Sequence, residues 1–256
     1  MAKPVIITFS NQKGGVGKTT SAVNIAACAG AMGYKVLLCD LDPQGNSTSG
    51  VGISKKGLRG STYSALLGIC PPEAAVVKTA FKNLSVMPST IDLAGAEIEL
   101  LSISHREYAM KYVLDAVGGD FDLVFIDCPP SLGMLTVNAL SCSDGVVIPM
   151  QCEYYSLEGL SQLMISIKKV KQLYNPSLTI TGILITMFNG RLNLSTQVLD
   201  EIKKYYSDKL FRTPITRNVK LSEAPSFGTP IYYHDKYSKG SLAYIEVTKE
   251  LISRVL

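Results

Sequence analysis

The run Lys13-Gly14-Gly15-Val16-Gly17-Lys18-Thr19-Thr20 constrains this chain more than any other stretch. It follows residues 5–9, a β-branched and aromatic run that reads as a buried strand. It opens residues 21–32, whose composition is helical. Strand, glycine-rich turn and helix, in that order, make a phosphate-binding unit. Glycines let backbone N–H groups turn inward around phosphate oxygens, and the helix start adds roughly half a positive charge. Lys18 is placed to reach the β- and γ-phosphates of a nucleotide, and the Thr19 hydroxyl to ligate Mg2+. The general pattern G-x-x-x-x-G-K-[ST] is not met in full. Gln12 stands where its first glycine would be, and a second lysine, Lys13, precedes the glycine pair.

Further strands are expected at residues 35–39, 84–87, 123–126, 146–148 and 180–187, the fifth of these six strands ending before Pro149. Helices are expected at 105–117, 157–173, 196–206 and 241–255, and residues 45–60 read as a loop. Strands alternating with helices imply an α/β fold with a mostly parallel twisted sheet flanked by helices. No repeat or linker breaks the chain, so a single domain over residues 1–256 is expected.

Two acidic sites fit the loop. Asp40 and Asp42 follow the second strand, and alternation puts them on one side of an extended segment, facing the phosphate end of the sheet. Asp127 ends the apolar run 123–126, the Walker B pattern that holds Mg2+ directly or through water.

Hydrophobic residues make up 46% and charged residues 18%, which excludes a disordered chain. No apolar run is long enough to span a membrane, and the N-terminus does not read as a signal peptide. Cys28, Cys39, Cys70, Cys128, Cys142 and Cys152 are scattered without a C-x-x-C pair, so reduced buried thiols and a cytoplasmic location are expected. Residues 1–150 hold 11 Lys/Arg against 12 Asp/Glu, whereas residues 151–256 hold 14 against 9. A basic C-terminal half suits a polyanionic partner.

K-G-G-x-G-K-T-T resembles the deviant Walker A motif of the ParA/MinD superfamily of P-loop ATPases. In that group the extra lysine, matching Lys13, crosses to the partner subunit's phosphates in an ATP-sandwiched dimer, acting as an arginine finger does. Asp40-Leu41-Asp42-Pro43-Gln44-Gly45-Asn46 resembles the family's switch I. There the second aspartate, matching Asp42, activates the attacking water, and the first, matching Asp40, supports the magnesium shell. Residues 129–133 are similar to switch II. The resemblance continues through Gln151–Gly159 and through Arg217-Asn218-Val219-Lys220-Leu221-Ser222-Glu223-Ala224-Pro225-Ser226, a block of the ParA/Soj partition ATPases.

That resemblance implies ATP and Mg2+ as cofactors and slow ATP hydrolysis. It implies a homodimer with ATP, bound to DNA without sequence preference and released when a ParB/Spo0J-type protein stimulates hydrolysis. The protein would then sit on the nucleoid when ATP-bound, with no stable membrane association. The family's DNA-contacting positions map to Arg191 and to Lys220, where lysine replaces the usual arginine and loses its fork of donors. Arg217, Lys203, Lys204, Lys236 and Lys239 are candidates to widen the patch. The alternative is a MinD-like membrane-cycling ATPase, which needs a basic amphipathic tail; residues 249–256 carry two basic residues and one acidic. A third reading is a metabolic P-loop enzyme of the dethiobiotin synthetase kind. His105 and His234 stand alone and are given no role, and the tyrosines at 232, 233, 237 and 244 read as packing.

Overall fold

The computed structural model describes residues 3–256. Its strands are β1 (Val5–Phe9), β2 (Val36–Asp40), β3 (Val77–Lys78), β4 (Leu84–Met87), β5 (Leu123–Asp127), β6 (Gly145–Gln151) and β7 (Thr179–Thr186). They form one sheet in the order β3-β4-β2-β5-β1-β6-β7. Every pairing is parallel except that of the two-residue β3 with β4. Strands covered on both faces need no polar alternation. This explains why β2 and β5 read as unbroken apolar runs ending in aspartate, buried from end to end.

The helices are α1 (Lys18–Met32), α2 (Asn46–Gly50), α3 (Thr62–Leu66), α4 (Leu93–Glu99), α5 (Ala109–Val117), α6 (Met134–Cys142), α7 (Tyr154–Leu173), α8 (Asn193–Tyr206), α9 (Val219–Glu223), α10 (Ile231–His234) and α11 (Lys239–Val255). On one face of the sheet Ile7, Phe9, Leu38 and Phe125 pack with α1 and α11. On the other, Ile6, Leu37, Val124 and Ile126 pack with α4, α5 and α6. A third cluster joins β6 and β7 to α7 and α8. The alternation of neighbours between the first two clusters is the pleat of the strands.

Helix α1 is buried on nearly every side from Ser21 to Gly30, which is why it is built from small residues rather than as an amphipathic stripe. A Cβ on Gly30 would collide with the Lys82 carbonyl, so glycine is required where the chain before β4 crosses this helix. The helix stops at Gly33 (φ 112°), whose N–H returns to the Ala29 and Gly30 carbonyls.

Several expectations are corrected. Strand β6 runs through Pro149 instead of stopping before it. Val147 accepts from Ser10 on the β1 side, and alternation turns Pro149 to that side, where β1 has already ended. The missing N–H therefore breaks no ladder bond. The loop expected at residues 45–60 contains α2, and the helix expected at 105–117 begins as a 3-10 turn, becoming α-helical only at Ala109. Helices α7 and α8 each start three residues earlier than expected. All six cysteines are free, and Cys70 alone of them is half-buried rather than buried. Tyr244 is fully buried with its hydroxyl 3.2 Å from Ser21 Oγ, but Tyr237 is 82% exposed, so packing does not explain the whole tyrosine group. No helix among the described residues is long and apolar enough to cross a membrane.

Candidate nucleotide site

The sheet delivers its functional residues to one edge. Phe9, Asp40 and Asp127 occupy a single row across β1, β2 and β5, so the segments leaving these strands emerge together at their carboxyl ends. Open α/β sheets bind ligands at this edge, where neighbouring connections diverge.

The loop between β1 and α1 is tied down through its carbonyls and side chains. Asn11 accepts from the Lys13 N–H (3.0 Å) and donates to the Pro149 carbonyl (2.8 Å). Gln151 Nε2 donates to the Gly15 carbonyl, and Thr186 Oγ1 to the Val16 carbonyl, both at 2.8 Å. Gly15 (φ 72°) and Gly17 (φ 82°) adopt left-handed backbone, and a Cβ on Gly14 or Gly15 would meet only open space. The N–H groups of Gly14, Gly15, Val16 and Gly17 donate to no protein acceptor among the described residues. Carbonyls held and N–H groups free make an anion cradle. Val16 adds a buried side chain that seats the loop.

Lys18 opens α1 and is buried, with Nζ 3.0 Å from the Lys13 carbonyl. Burial lowers its pKa, against the pull of Asp127 and Asp42. Thr19 and Thr20 are half-buried on the first turn. Lys13 is exposed, and its ammonium pairs with the carboxylate of Glu153, just before α7.

The three aspartates are all buried and differently engaged. Asp40 is saturated: Oδ2 accepts from the Thr48 N–H and hydroxyl, each at 2.7 Å, and Oδ1 from the Asp42 N–H at 3.2 Å. Asp42 Oδ1 accepts from the Gln44 N–H at 2.9 Å. Asp127 Oδ2 accepts from Ser47 Oγ at 2.8 Å, while Oδ1 is buried with no hydrogen-bond partner. Asp127 is pushed up to about 7, first by burial and then by the Asp40 charge, with hydroxyls on Ser47 and Thr19 holding it back, and burial pushes Asp40 up to about 6. An orphaned buried carboxylate oxygen beside a threonine hydroxyl and an anion cradle fits a hard divalent cation. Among the described residues no cluster of three or more His, Cys, Asp or Glu could hold a metal unaided. A cation here would therefore lean on phosphate oxygens and water, as Mg2+ commonly does.

Ser47, Thr48, Asn11, Gln151 and Thr186 escaped the sequence reading as site residues. A signal existed for Ser47 and Thr48, because Asn46-Ser47-Thr48-Ser49 directly after a turn is a helix-start composition.

Arg191, Arg217 and Lys220 are all exposed. The Phe188–Thr216 bridge lays the segment leading to Arg191 alongside the one leading to Arg217, beyond the end of β7. Lys220 sits in the first turn of α9, capped by Asn218, with its ammonium 2.9 Å from Glu223.

A strand-to-helix anion cradle, a buried lysine aimed across it and strand-terminal carboxylates define a P-loop nucleoside triphosphatase. The comparisons agree. A family model described as an AAA domain matches residues 4–180. The chain is 51% identical over 246 residues to the sporulation initiation inhibitor protein Soj of Bacillus subtilis (strain 168), covering 96% of this chain and 97% of that one. It is 48% identical over 249 residues to the chromosome partitioning protein ParA of Myxococcus xanthus (strain DK1622), covering 97% and 88%. Its fold is similar to the crystal structure of cobyrinic acid a,c-diamide synthase from Mycobacterium smegmatis with bound ATP analog and magnesium. The TM-score there is 0.86 at 39% identity, over 96% of this chain and 93% of that chain. The chain belongs to the ParA/Soj family of chromosome-partitioning ATPases.

Proposed function

We propose that this protein is an ATP-driven switch for DNA segregation, acting as one unit over residues 1–256. The observation that carries the reading is Lys13, exposed at the mouth of a free N–H cradle. A second lysine there has no role within its own site, because Lys18 already spans the cradle. Its present partner is Glu153, in an exposed ion pair of the kind that contributes no more than about 1 kcal/mol. A triphosphate presented by a second copy competes with that easily.

ATP and Mg2+ are the cofactors of this cycle. The loop Lys13-Gly14-Gly15-Val16-Gly17-Lys18-Thr19-Thr20 cradles the phosphates, with Lys18 exchanging the Lys13 carbonyl for phosphate oxygens. Thr19 and Asp127 hold Mg2+, and Asp40 supports that shell by fixing the start of α2 through Thr48, next to the Ser47 hydroxyl that bonds Asp127. The cation supplies charge neutralisation at the β- and γ-phosphates. Asp42 orients the attacking water, and Lys13 from the partner copy stabilises charge on the transferred group, a contribution of about 10³–10⁵ in rate for such cations. Dimerisation through the γ-phosphate doubles the basic surface around Arg191, Arg217 and Lys220, which explains how ATP turns on non-specific DNA binding without altering those residues. A ParB/Spo0J-type partner accelerates hydrolysis and releases the DNA. The protein is cytoplasmic and nucleoid-associated while ATP-bound. The MinD-like alternative has less support, since the inward face of α11 (Tyr244, Val247, Leu251) is already packed in the core with α1.

The test is DNA co-sedimentation with ATP, ADP and no nucleotide across a salt series. ATP-only binding that falls steeply with salt is expected. Equal binding in all three states, or ATP-dependent flotation on liposomes in its place, would overturn the reading.

A further inference from the structure

We propose that the outward face of the helical run over residues 90–102 is a docking surface for a basic amphipathic segment of a partner protein. The run is longer than α4 itself. Leu93, Ala94 and Gly95 donate to the carbonyls of Thr90, Ile91 and Asp92, and a 3-10 turn (Leu100–Ser102) extends the other end. Its inward face, Leu93, Ala96 and Leu100, is fully buried. A helix of this size needs one apolar stripe to hold it to the core.

This one carries two. Ile91 is 71% exposed, Ile98 74% and Leu101 55%, and with Ala94 they recur at spacings of three, four and three, a continuous outward stripe. Single exposed aliphatics are ordinary, but a contiguous row is the mark of an interaction surface. Beyond Leu101 the chain turns at Ile103 into a shallow apolar cavity of about 240 Å3, lined by Leu66, Cys70, Pro72, Tyr112 and Val113. That cavity is large enough for an apolar anchor side chain.

Charge selects the occupant. Residues 90–104 contain Asp92, Glu97 and Glu99 and no lysine or arginine; Arg106, just beyond, donates from its guanidinium to the Leu101 carbonyl at 2.9 Å, so the carboxylates outnumber the cation at this surface by three to one. None of the three joins an ion pair among the described residues. Asp92 and Glu99 accept only from the hydroxyls of Thr90 and Tyr63. An apolar stripe flanked by unpaired carboxylates fits a segment with apolar residues on one side and Lys/Arg on the other. A second copy would bring the same acids against themselves, and an anionic bilayer would be repelled.

The surface also reaches the nucleotide site. Glu97 presses its carboxylate against the Cα of Gly133, where a Cβ would collide with it, and its buried Oε1 has no hydrogen-bond partner. Gly133 begins α6, in the segment that leaves Asp127. A cation docked beside Glu97 draws that carboxylate off Gly133 and frees the segment to move. This coupling rests on the ATPase reading above; the docking itself does not.

The probe is a synthetic fluorescent peptide with leucine at heptad spacing and lysine between, alongside its glutamate counterpart, titrated against the full-length protein. The lysine peptide should bind and the glutamate peptide should not. The double variant Ile98→Ser/Leu101→Ser should bind the lysine peptide at least about tenfold more weakly, a loss near 1.4 kcal/mol. Glu97→Gln/Glu99→Gln should weaken it and flatten its salt dependence. Both stripe residues are exposed, so their replacement should leave the melting temperature, ATP affinity and ATP-dependent dimerisation unchanged. Equal binding to the wild type and the double variant would overturn the proposal. So would loss of self-association in the double variant, which would assign the stripe to a second copy. Peptide binding without a change in ATP hydrolysis would uphold the surface and count against the ATPase coupling alone.

Discussion

Asp40 and Asp127 stand side by side as register partners at the ends of β2 and β5, both fully buried. Burial raises both, to about 6 for Asp40 and about 7 for Asp127, with the Asp42 charge adding to the rise of Asp40 and the Asp40 charge to that of Asp127. An unfolded aspartate titrates near 3.9. The native state therefore binds protons more tightly than the unfolded chain between roughly pH 4 and 7, and this pair opposes folding increasingly as pH rises through that window. Asp127→Asn keeps an acceptor for Ser47 and removes the charge. The nucleotide-free, metal-free variant should melt higher than the wild type at pH 8, by about 2–4 °C per kcal/mol relieved, with a smaller gain at pH 5. Its affinity for Mg2+-nucleotide should fall at the same time. Scanning calorimetry at the two pH values checks this, and a variant less stable at pH 8 would contradict it.

Lys18→Ala removes the ammonium that spans the cradle. Charge-assisted hydrogen bonds contribute about 1.5–3 kcal/mol each, so ATP affinity should fall by at least about tenfold. Titration calorimetry reads the change directly. Unchanged affinity would remove Lys18 from phosphate binding.

Lys13→Ala should separate binding from assembly. Its ammonium is exposed and pairs only with Glu153, so a monomer should bind ATP nearly as well without it. ATP-dependent dimerisation and hydrolysis should both fail. A variant that still hydrolyses ATP at the wild-type rate would show that no second copy needs this lysine.

Arg191→Ala with Lys220→Ala should abolish DNA co-sedimentation yet keep ATP-dependent dimerisation. Each lost phosphate contact should lower the slope of log affinity against log salt by about 0.9. Lys220 is partly neutralised by Glu223, so Arg191→Ala alone should have the larger effect. Undiminished DNA affinity at moderate salt would move the patch elsewhere.

How much of this was legible in the sequence follows from local pattern. The first strand, the glycine loop and the strand ending at Asp127 each carry their own signal, and they lie where the sequence placed them. Helix α6 carries none. Its residues Met134-Leu135-Thr136-Val137-Asn138-Ala139-Leu140-Ser141-Cys142 are buried nearly all round, so no amphipathic period marks them. Asn138 survives inside because its side chain donates to the Arg106 and Met134 carbonyls and accepts from the Met110 N–H. Short helices such as α2 and α9 depend on tertiary packing for their stability, which single-sequence periodicity does not see. Pro149 shows the same limit, because its tolerance depends on where β1 ends, a property of the sheet and not of β6. At the site, residue types pointed to Lys18, Asp42 and Asp127 as candidates, but the tethers Gln151 and Thr186 arrive from strands more than a hundred residues away.

The most direct measurement is light scattering on Asp42→Ala with saturating ATP and Mg2+, repeated with ADP. Asp42 is proposed to activate the attacking water, so its loss should preserve the triphosphate and trap whatever assembly ATP builds. A mass of two chains with ATP and one with ADP, the ATP form co-sedimenting with DNA, is the predicted result. A single-chain mass in both nucleotides would contradict the proposed switch.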